Sequence, residues 1–336
     1  MRPASQVPGH DSPLEEYRMR LRGRLESAPR VFLEAPAYVL GEIETHHSDI
    51  PSLADRAREL RMMPDPSVWG WGFVHRTRRS VAELAIDGGR ATLLAAGSDG
   101  SDVDAFVLCS TRFPGSAMTH GAFLSRVMTA LGLAGAAFYG VTLNRCANLL
   151  AALRLAEALV TAGTHRRVLV VTADRVQEEA ERITDFALFS DGAAGCLVTA
   201  EPPAGTAYRI LGGATAQDPA RLDWSEEISA DLSRRANDTL LSPLGMTTAD
   251  VAQLFATNLY RPVTLVKERQ AGFTTGQIFA ANIERVAHCF AADPLVNLVD
   301  RAAAGGLGDG GHAVLAASVP GSRTAVLIRQ TPVSAS

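Results

Sequence analysis

The chain has 336 residues, a formal charge of −4 at pH 7 and 47% hydrophobic residues. Such a chain can bury a large core, and its length suits one large α/β unit or two similar halves. The mild negative charge and the lack of a basic cluster exclude the electrostatic footprint of a nucleic-acid-binding protein. Since the sequence has no apolar run long enough to span a bilayer and no signal-like start, we expect a cytoplasmic protein.

Cysteine usage narrows the chemistry further. The four cysteines are widely spaced and form no CxxC pair: Cys109, Cys146, Cys196 and Cys289. This spacing predicts neither a disulfide framework nor a zinc site, and in a reducing compartment all four should be thiols. We therefore expect no metal and no permanently bound cofactor.

Apolar periodicity predicts alternating strands and helices in the first part of the chain. Residues 1–30 are polar, with scattered prolines, and we treat them as an N-terminal extension without an assigned function. The expected elements are a strand over 31–40, a helix over 50–63, a helix over 80–96, a strand over 102–111, a helix over 123–131, a helix after Cys146 and a strand over 168–172.

A second series of elements follows the segment Pro202-Pro-Ala-Gly205, which we take as the boundary between halves spanning 31–204 and 205–336. The pattern predicts a strand over 208–214, helices over 250–258, 275–281 and 295–303, and two final strands around Pro320-Gly321. Each half alternates strands and helices and ends in a pair of strands. This faint repeat indicates two stacked α/β halves that share one core.

Cys146 lies in the most informative stretch, at the start of a long helix rich in alanine and leucine and ahead of the strand Val168–Thr172. A thiol at a helix N-terminus feels the positive end of the helix dipole and is surrounded by free backbone N–H groups. Those groups favour a thiolate and can hold an oxyanion. Cys146 is therefore a candidate acyl-carrying nucleophile, although the same segment also suits a small buried cysteine.

Together with Cys146, the turn Phe189-Ser-Asp-Gly-Ala-Ala-Gly195 and the terminal strand–turn–strand resemble the ketoacyl synthase III branch of the thiolase superfamily. The resemblance covers roughly residues 31–330. It implies a five-layered αβαβα fold made of two similar halves, and usually a homodimer. It also implies an acyl thioester delivered on coenzyme A or on the phosphopantetheine arm of an acyl carrier protein.

The departures from that family decide the expected chemistry. Condensing members use a cysteine, a histidine and an asparagine. The segment Phe255-Ala-Thr-Asn258 resembles their HxxN motif, with Phe255 in place of the histidine, and Phe290 stands two residues beyond His288 where the asparagine would be. Phenylalanine offers no polar donor to a developing enolate or carboxylate, so condensation of a malonyl unit is not expected here.

His288 and Asp293 suggest a different reaction. Their His-x4-Asp-Pro segment resembles a subgroup of ketoacyl synthase III-like acyltransferases. Transfer to a hydroxyl or an amine needs a general base and a carboxylate that orients it, by the logic of the serine triad. Since Pro294 disfavours helical geometry at Asp293, the carboxylate could fold back to the imidazole. Alternatively, Asp293 only caps the helix that begins at Pro294, and His288 is structural.

Other residues complete the expected site. Phe255, Asn258 and Phe290 are taken to contact substrate, although Asn258 could equally be a helix cap. The backbone N–H groups of Cys146 and Gly321 are the candidate oxyanion hole. His312 is a rival base, although its position after two glycines suits a turn in solvent.

The sequence thus predicts an acyltransferase of secondary-metabolite, polyketide-type biosynthesis. An acyl group would pass from a carrier protein or coenzyme A to Cys146, and then to a small-molecule alcohol or amine. Two alternatives stay open: a synthase of the same fold that forms carbon–carbon bonds, and a non-catalytic partner subunit.

Overall fold

The computed structural model describes residues 30–51, 53–201, 206–223, 229–308 and 310–331. The predicted extension before residue 30 and the predicted boundary at 202–205 lie outside these residues. The strands in chain order are β1 (Val31–Leu40), β2 (Ile43–His46), β3 (Phe73–Arg76), β4 (Ala105–Cys109), β5 (Ala137–Val141), β6 (Arg167–Asp174), β7 (Gly192–Thr199), β8 (Ala207–Gln217), β9 (Gln253–Phe255), β10 (His312–Val319) and β11 (Ser322–Gln330).

The helices connect these strands and flank them on both sides. In chain order they are α1 (Leu53–Glu59), α2 (Pro66–Trp69), α3 (Val81–Ala96), α4 (His120–Ala130), α5 (Asn148–Thr161), α6 (Ala230–Leu241), α7 (Arg261–Gln270), α8 (Ala281–Arg285) and α9 (Asp293–Ala303). Short 3-10 turns precede α5 at Arg145–Ala147 and α9 at Phe290–Ala292.

The strand order repeats between the two halves. Across the described residues, one large sheet runs β5-β4-β6-β7-β1 and continues as β8-β11-β10-β9. In the first half β4 is parallel to β5 and β6, while β6–β7 and β7–β1 are antiparallel. The second half repeats this with β9, β10, β11 and β8, and a single parallel bridge from Leu254 to Ile278 stands where β5 would be.

The helices that cover each face of the sheet define the layers. Helices α3 and α4 pack on the outer face of the first five strands, in an apolar cluster that includes Leu84, Phe106 and Val127. The main core lies on the other face, where it joins α5, α9 and strands from both halves. Helix α6 packs on the outer face of the second half. The result is the expected alternation of five layers, with α5 and α9 in the middle.

Local sequence signals account for the regular elements. Ser80 and Glu83 form a capping box at the start of α3, and Gly97, with φ of 65°, ends it in the left-handed region. Strands β6 and β7 are buried along nearly their whole length, which explains their continuous apolar sequence. The predicted strand over 31–40, the helix over 80–96 and the final pair of strands are confirmed.

Two predicted helices in the second half are wrong. The span 250–258 contains the end of a 3-10 turn (Thr248–Asp250) and then strand β9. Thr247 and Asp250 form a capping box there, a signal that normally opens a helix but here closes one short turn. The span 275–281 likewise holds a 3-10 turn, Thr275–Gln277, ahead of α8.

Two further properties concern the described residues as a whole. All four cysteines are free and buried. Within the described ranges, no helix is both long and apolar enough to cross a membrane.

Candidate active site

Cys146 lies in the 3-10 turn that joins β5 to α5, at the N-terminal end of a middle-layer helix. Asn148 holds this turn: its side chain accepts a hydrogen bond from the backbone N of Asn144 (3.0 Å) and donates one to the carbonyl of Ser110 (3.0 Å). Arg145 has a left-handed φ of 55°. This backbone shape turns the chain sharply just before the thiol, which is 5% exposed.

The structure brings Cys146, His288 and Asp293 into one line of contacts. The Sγ atom of Cys146 lies 3.2 Å from Nε2 of His288, although the two residues are 142 positions apart. Nδ1 on the other side of the ring lies 2.5 Å from Oδ2 of Asp293. Because a carboxylate can only accept, Nδ1 carries the proton, and Nε2 faces the sulfur. The imidazole and the carboxylate are both fully buried.

Asp293 orients the histidine and does not act as a helix cap. Its Oδ1 accepts from the backbone N of Cys289 (2.7 Å), and its Oδ2 accepts from the backbone N of Asn258 (2.7 Å). Helix α9 begins at Asp293 itself, and its N-cap residue, Ala292, has no side-chain cap bond. The alternative in which Asp293 only caps this helix is therefore wrong.

The charges around His288 stabilise an imidazolium. Burial alone would lower the pKa of this side chain, but the Asp293 carboxylate and the Cys146 sulfur raise it to about 10. The imidazolium form of His288 is therefore favoured beside the Cys146 sulfur. The ring is flanked by Phe189 (4.8 Å between centroids) and Phe290 (6.1 Å).

A cavity of about 280 Å³ opens on the thiol. Its wall mixes apolar, acidic and basic side chains, and it is lined by Val81, Ser110, Thr111, Arg112, Arg145, Cys146, Asp174, Arg175, Val176, Gln177, Glu181, Thr184, Phe189 and Phe290. Phe290 is therefore on the cavity wall, where substrate contact was predicted. Its left-handed φ of 49°, uncommon for a residue with a side chain, directs the chain between His288 and α9.

Asn258 is close to the site, but its side chain does not line the cavity. Its Nδ2 donates to the carbonyl of Ala287 (3.1 Å), and its Oδ1 accepts from Nδ2 of Asn297 (3.0 Å). With its backbone N on Asp293, this asparagine fixes the chain around the carboxylate. The expectation that it binds the acyl carbonyl or the pantetheine arm is corrected, because its amide is already bonded within the protein.

Two other predicted positions also lie away from the cavity. Phe255, on β9, is fully buried in the core and stacks edge to face on Phe279 (5.7 Å), so it is not a substrate contact. Gly321 turns between β10 and β11, and its carbonyl accepts from the backbone N of Asp218 (2.9 Å). A Cβ at Gly321 would meet the backbone of Arg221 at 2.5 Å, so this glycine serves a close approach. Gly321 is not among the residues that line the cavity, and its place in the oxyanion hole stays a prediction.

The rival base is also away from the site. His312 begins β10, whose opposite end, at Val319, leads to the turn at Pro320. The carbonyl of Pro320 accepts from Nη2 of Arg145 (3.0 Å). His312 is not among the residues that line the cavity.

The turn at Phe189–Gly195 fixes part of the cavity wall. Asp191 accepts hydrogen bonds from the backbone N of Thr77 (2.9 Å) and of Val176 (2.8 Å). The guanidinium of Arg182 donates to the carbonyl of Phe189 (2.9 Å) and is ion-paired with Asp191 at 3.4 Å. These bonds hold Val176 and Phe189, both of which line the cavity, at fixed positions.

Sequence reasoning missed Asp174, the last residue of β6, which lines the same cavity. Its Oδ1 accepts from the backbone N and the Oγ1 of Thr111 (both 2.6 Å) and from Oγ of Ser110 (3.1 Å). Burial raises the pKa of this carboxyl to about 6. The available signal was its position, because ligands of open α/β sheets bind beyond the carboxyl ends of the strands.

Solved structures share the fold of this chain. The chain superposes on the solved structure of the acyltransferase ChlB3 with a TM-score of 0.77 at 17% identity, over 91% of this chain and 99% of that one. It superposes on 3-oxoacyl-(acyl carrier protein) synthase III from Pseudomonas aeruginosa PAO1 with a TM-score of 0.73 at 21% identity, over 90% and 99%. The thiolase-like fold expected from the sequence is confirmed.

Sequence comparisons indicate which family part of the chain resembles. The model of the 3-oxoacyl-[acyl-carrier-protein] synthase III family matches residues 142–219, which include Cys146 and the Phe189–Gly195 turn. A β-ketoacyl-[acyl-carrier-protein] synthase III of Solibacter usitatus is 32% identical over 128 residues, or 36% of this chain and 36% of that relative. The match thus spans about a third of the relative's length. Over this part of the chain the sequence is similar to the ketoacyl synthase III family, as the resemblance implied, and the fold is thiolase-like.

Proposed function

We propose that this protein is an acyltransferase that moves an acyl group from a thioester to Cys146 and then to a hydroxyl or amine acceptor. The observation that carries the proposal is the buried line of contacts from the Cys146 sulfur through His288 to Asp293, with distances of 3.2 and 2.5 Å. It contains a nucleophile, a base and an orienting carboxylate, the set that acyl transfer requires.

In the first step, the Cys146 thiolate attacks the thioester carbonyl. The tetrahedral intermediate collapses as the C–S bond to the donor breaks, and the departing thiolate takes the proton from Nε2 of His288. The backbone N–H of Cys146 is a proposed oxyanion donor, together with that of Gly321, which does not line the described cavity. The products of this step are acyl-Cys146, the free donor thiol and a neutral imidazole.

Acylation itself prepares His288 for the second step. The sulfur is one of the two groups that raise the pKa of His288, and it loses its charge on acylation. The pKa of the imidazole therefore falls, and Nε2 is left free to take a proton from the acceptor. The acceptor attacks acyl-Cys146, an ester or amide leaves, and the thiolate–imidazolium pair returns.

Phe290 supports transfer over condensation. A malonyl condensation develops negative charge on an enolate, which needs polar donors beside it. Here the aromatic rings of Phe189 and Phe290 occupy the wall beside His288, with 4.9 Å between their centroids. They suit an acyl chain and exclude water from the thioester.

The donor is proposed to be an acyl-coenzyme A or an acyl carrier protein, as the names of the relatives suggest. Arg112, Arg145 and Arg175 lie around the cavity. Guanidinium groups at this position complement the phosphate of coenzyme A or of a phosphopantetheine arm. Within the described residues, no group of three potential ligands could hold a metal ion. The proposed acceptor is a small molecule of a polyketide-type pathway.

A homodimer is proposed through β5. This strand is at the edge of the sheet, is paired only with β4, and exposes Ala137, Phe138 and Gly140. Met118 and Leu143, at either side of it, are almost fully exposed. An exposed apolar edge strand favours pairing with a second copy, which would bury both edges.

Intact-protein mass spectrometry after exposure to a panel of acyl thioesters tests the proposal. We expect an acyl adduct on the wild-type protein and none on Cys146→Ala, with at least a 10³-fold loss of transfer in that variant. Cys146→Ser is the matched control, because a hydroxyl keeps the volume but is a poorer nucleophile. An adduct of equal yield on Cys146→Ala would contradict the proposal.

The second candidate is a carbon–carbon-bond-forming synthase, which is favoured by the names of the sequence relatives. The two functions differ in their product: an ester or amide in one case, and a β-keto compound in the other. Offering the acyl-enzyme a malonyl thioester beside alcohol and amine acceptors separates them. A protein that gives no adduct and whose Cys146 does not react with iodoacetamide at neutral pH would instead be a non-catalytic partner subunit.

A further inference from the structure

Asp174 has one carboxylate oxygen that the protein uses and one that it does not. Oδ1 accepts all three described hydrogen bonds, from Thr111 and Ser110. Oδ2 is buried and has no hydrogen-bond partner among the described residues. The side chain is 3% exposed and forms no described ion pair. An unpartnered oxygen of a buried carboxylate destabilises a fold, because that oxygen loses its water without gaining a hydrogen bond. The presence of such an oxygen on the cavity wall therefore points to a ligand.

The position of Asp174 ties this oxygen to the chemistry. Asp174 and Cys146 line the same cavity, and the positive charge of His288 is close enough to lower the pKa of Asp174 against the effect of burial. Ser110 links the two residues physically: its hydroxyl donates to Asp174, and its carbonyl accepts from Asn148, whose side chain holds the turn before Cys146. The free oxygen is therefore held at a fixed place relative to the sulfur.

We propose that Asp174 selects the acceptor by accepting, at Oδ2, a hydrogen bond from a second hydroxyl or amine group of that molecule. The acceptor is then a diol, polyol or amino alcohol: one group gives its proton to His288 and attacks acyl-Cys146, and the other binds Asp174. This inference rests on the proposed function and names the acceptor class. A site with a buried acceptor atom discriminates strongly against analogues that lack the matching donor.

The donor thioester is a less suitable partner for Oδ2. Its carbonyl and sulfur are hydrogen-bond acceptors and its phosphates are anions, so each would be repelled by a carboxylate, whereas the amide N–H groups of its pantetheine arm are donors, a case that the KM for the thioester tests. Glu181, a second acidic residue on the cavity wall, adds to that repulsion. An amine or a hydroxyl donor meets no such penalty.

The test separates loading of Cys146 from transfer. Wild-type protein is first acylated with acetyl-, butyryl- or hexanoyl-coenzyme A, and the loss of the adduct mass is followed with matched acceptors. The pairs are propane-1,3-diol against propan-1-ol, and 3-aminopropan-1-ol against propylamine. We expect the difunctional member of each pair to discharge the acyl-enzyme at least about tenfold faster.

Asp174→Asn isolates the free oxygen. Asparagine can still accept from Thr111 through its own Oδ1, but it presents an NH₂ group where the wild-type protein has Oδ2. We expect the ratio of discharge rates between the difunctional and the monofunctional acceptor to fall to about one, measured on acyl-enzyme that is already loaded. Thr172→Val is the matched control, since it removes a buried hydroxyl, also without a described partner, from the same strand and outside the cavity wall.

Each outcome is decisive. Equal rates with both members of each pair in the wild type, or no discharge by either diol or amino alcohol, would overturn the proposal. So would an Asp174→Asn variant that keeps the preference, or one whose only defect is a weaker KM for the coenzyme A thioester. Failure of Cys146 to load at all would instead contradict the proposed function.

Discussion

The two middle-layer helices begin at equivalent corners of the repeated fold, and each corner contributes a different part of the site. Before α5, which follows β5, lies Cys146; α9, which follows the bridge at Ile278, begins with Asp293. Both lie at helix N-termini, where the dipole favours negative charge. His288 lies between them and bonds to both. A buried imidazole that contacts a thiol on one side and a carboxyl group on the other is therefore built where the halves meet, and neither half contains the whole set.

The halves differ as much outside the site. The first half has a complete, exposed fifth strand, whereas the second has one bridge in its place. The outer layer of the first half is apolar, whereas in the second half Lys267 and Glu268 of α7 form a buried ion cluster with Arg323 of β11. The comparison indicates that the repeat conserves strand order and helix placement while the chemistry of each position varies.

The largest expected effect comes from removing the carboxylate contributed by the second half. Asp293→Asn should lower acyl transfer by about 10²- to 10⁴-fold. The side-chain amide is neutral and has only one oxygen, so it cannot accept from Nδ1 of His288 and from both backbone N–H groups as the carboxylate does. Transfer of the acyl group from acyl-Cys146 to an amine, followed by mass spectrometry, measures this loss. Asp300→Asn, on the same helix and bonded to Tyr38 (2.7 Å), is the control. A wild-type rate for Asp293→Asn would remove this aspartate from the mechanism.

A second prediction concerns the ion cluster in the outer layer. Glu268 accepts two hydrogen bonds from Arg323 (2.7 and 3.0 Å) and also contacts Lys267, and all three side chains are buried. Glu268→Gln leaves two buried cations without their anion and should lower the free energy of unfolding by about 3–5 kcal/mol. Urea denaturation measures the loss.

The matched control for this prediction is Glu284→Gln, which breaks the exposed pair with Arg261 (3.0 Å). Its expected loss is below about 1 kcal/mol. Equal losses in both variants would mean that the buried cluster contributes no more to the free energy of unfolding than a surface ion pair does. The outer layers of the two halves would then not differ in how charged residues stabilise them.

A third prediction uses the pH dependence of the Asp174 carboxylate. Its pKa in the folded protein is about 6, against an ordinary value of 3.8, so the fold favours the protonated form. The resulting destabilisation is fully present above pH 6 and is relieved as the pH falls from 6 towards 4. Asp174→Asn should therefore raise the free energy of unfolding at pH 7.5, by up to about 3 kcal/mol, and have little effect at pH 4. A variant less stable than the wild type at pH 7.5 would refute this account.

The smallest expected effect tests the exposed edge of the first half. Phe138 on β5 and Val266 on α7 are each 56% exposed, so they form a matched pair of surface apolar residues in the two halves. Phe138→Asp should weaken self-association at least tenfold, about 1.4 kcal/mol, whereas Val266→Asp should leave it unchanged. Analytical ultracentrifugation measures both. Dimers of equal stability in both variants would exclude β5 as the interface.

Much of the fold could be predicted because its signals are local. The buried strands β4 and β6 have nearly continuous apolar sequences, and α3 has a capping box and a final glycine. Strand β5 gave no such signal, because an edge strand exposed along much of its length needs no apolar run. Strand β9 was assigned to a helix because three residues are too few for a period, and a capping box precedes them.

The candidate site divides in the same way. Cys146, His288 and Asp293 were selected from residue type, from the expected helix start and from a family resemblance, and they lie in contact. Asn258, Phe255 and Gly321 were placed by alignment alone, and their side chains or backbone are used in packing or in bonds within the protein. The sequence does not show that Asp174 lines the cavity, or that only one of its two oxygens is hydrogen-bonded within the protein.

By itself, the sequence determined the α/β class, the repeated halves and the identity of the thiol, because these depend on apolar periodicity and on residue chemistry within short segments. Only the tertiary structure decided that an imidazole 142 positions away from the thiol lies 3.2 Å from it, and that a neighbouring carboxylate has one oxygen free. Such contacts depend on how two helices and two sets of strands pack together. No local propensity encodes that distance.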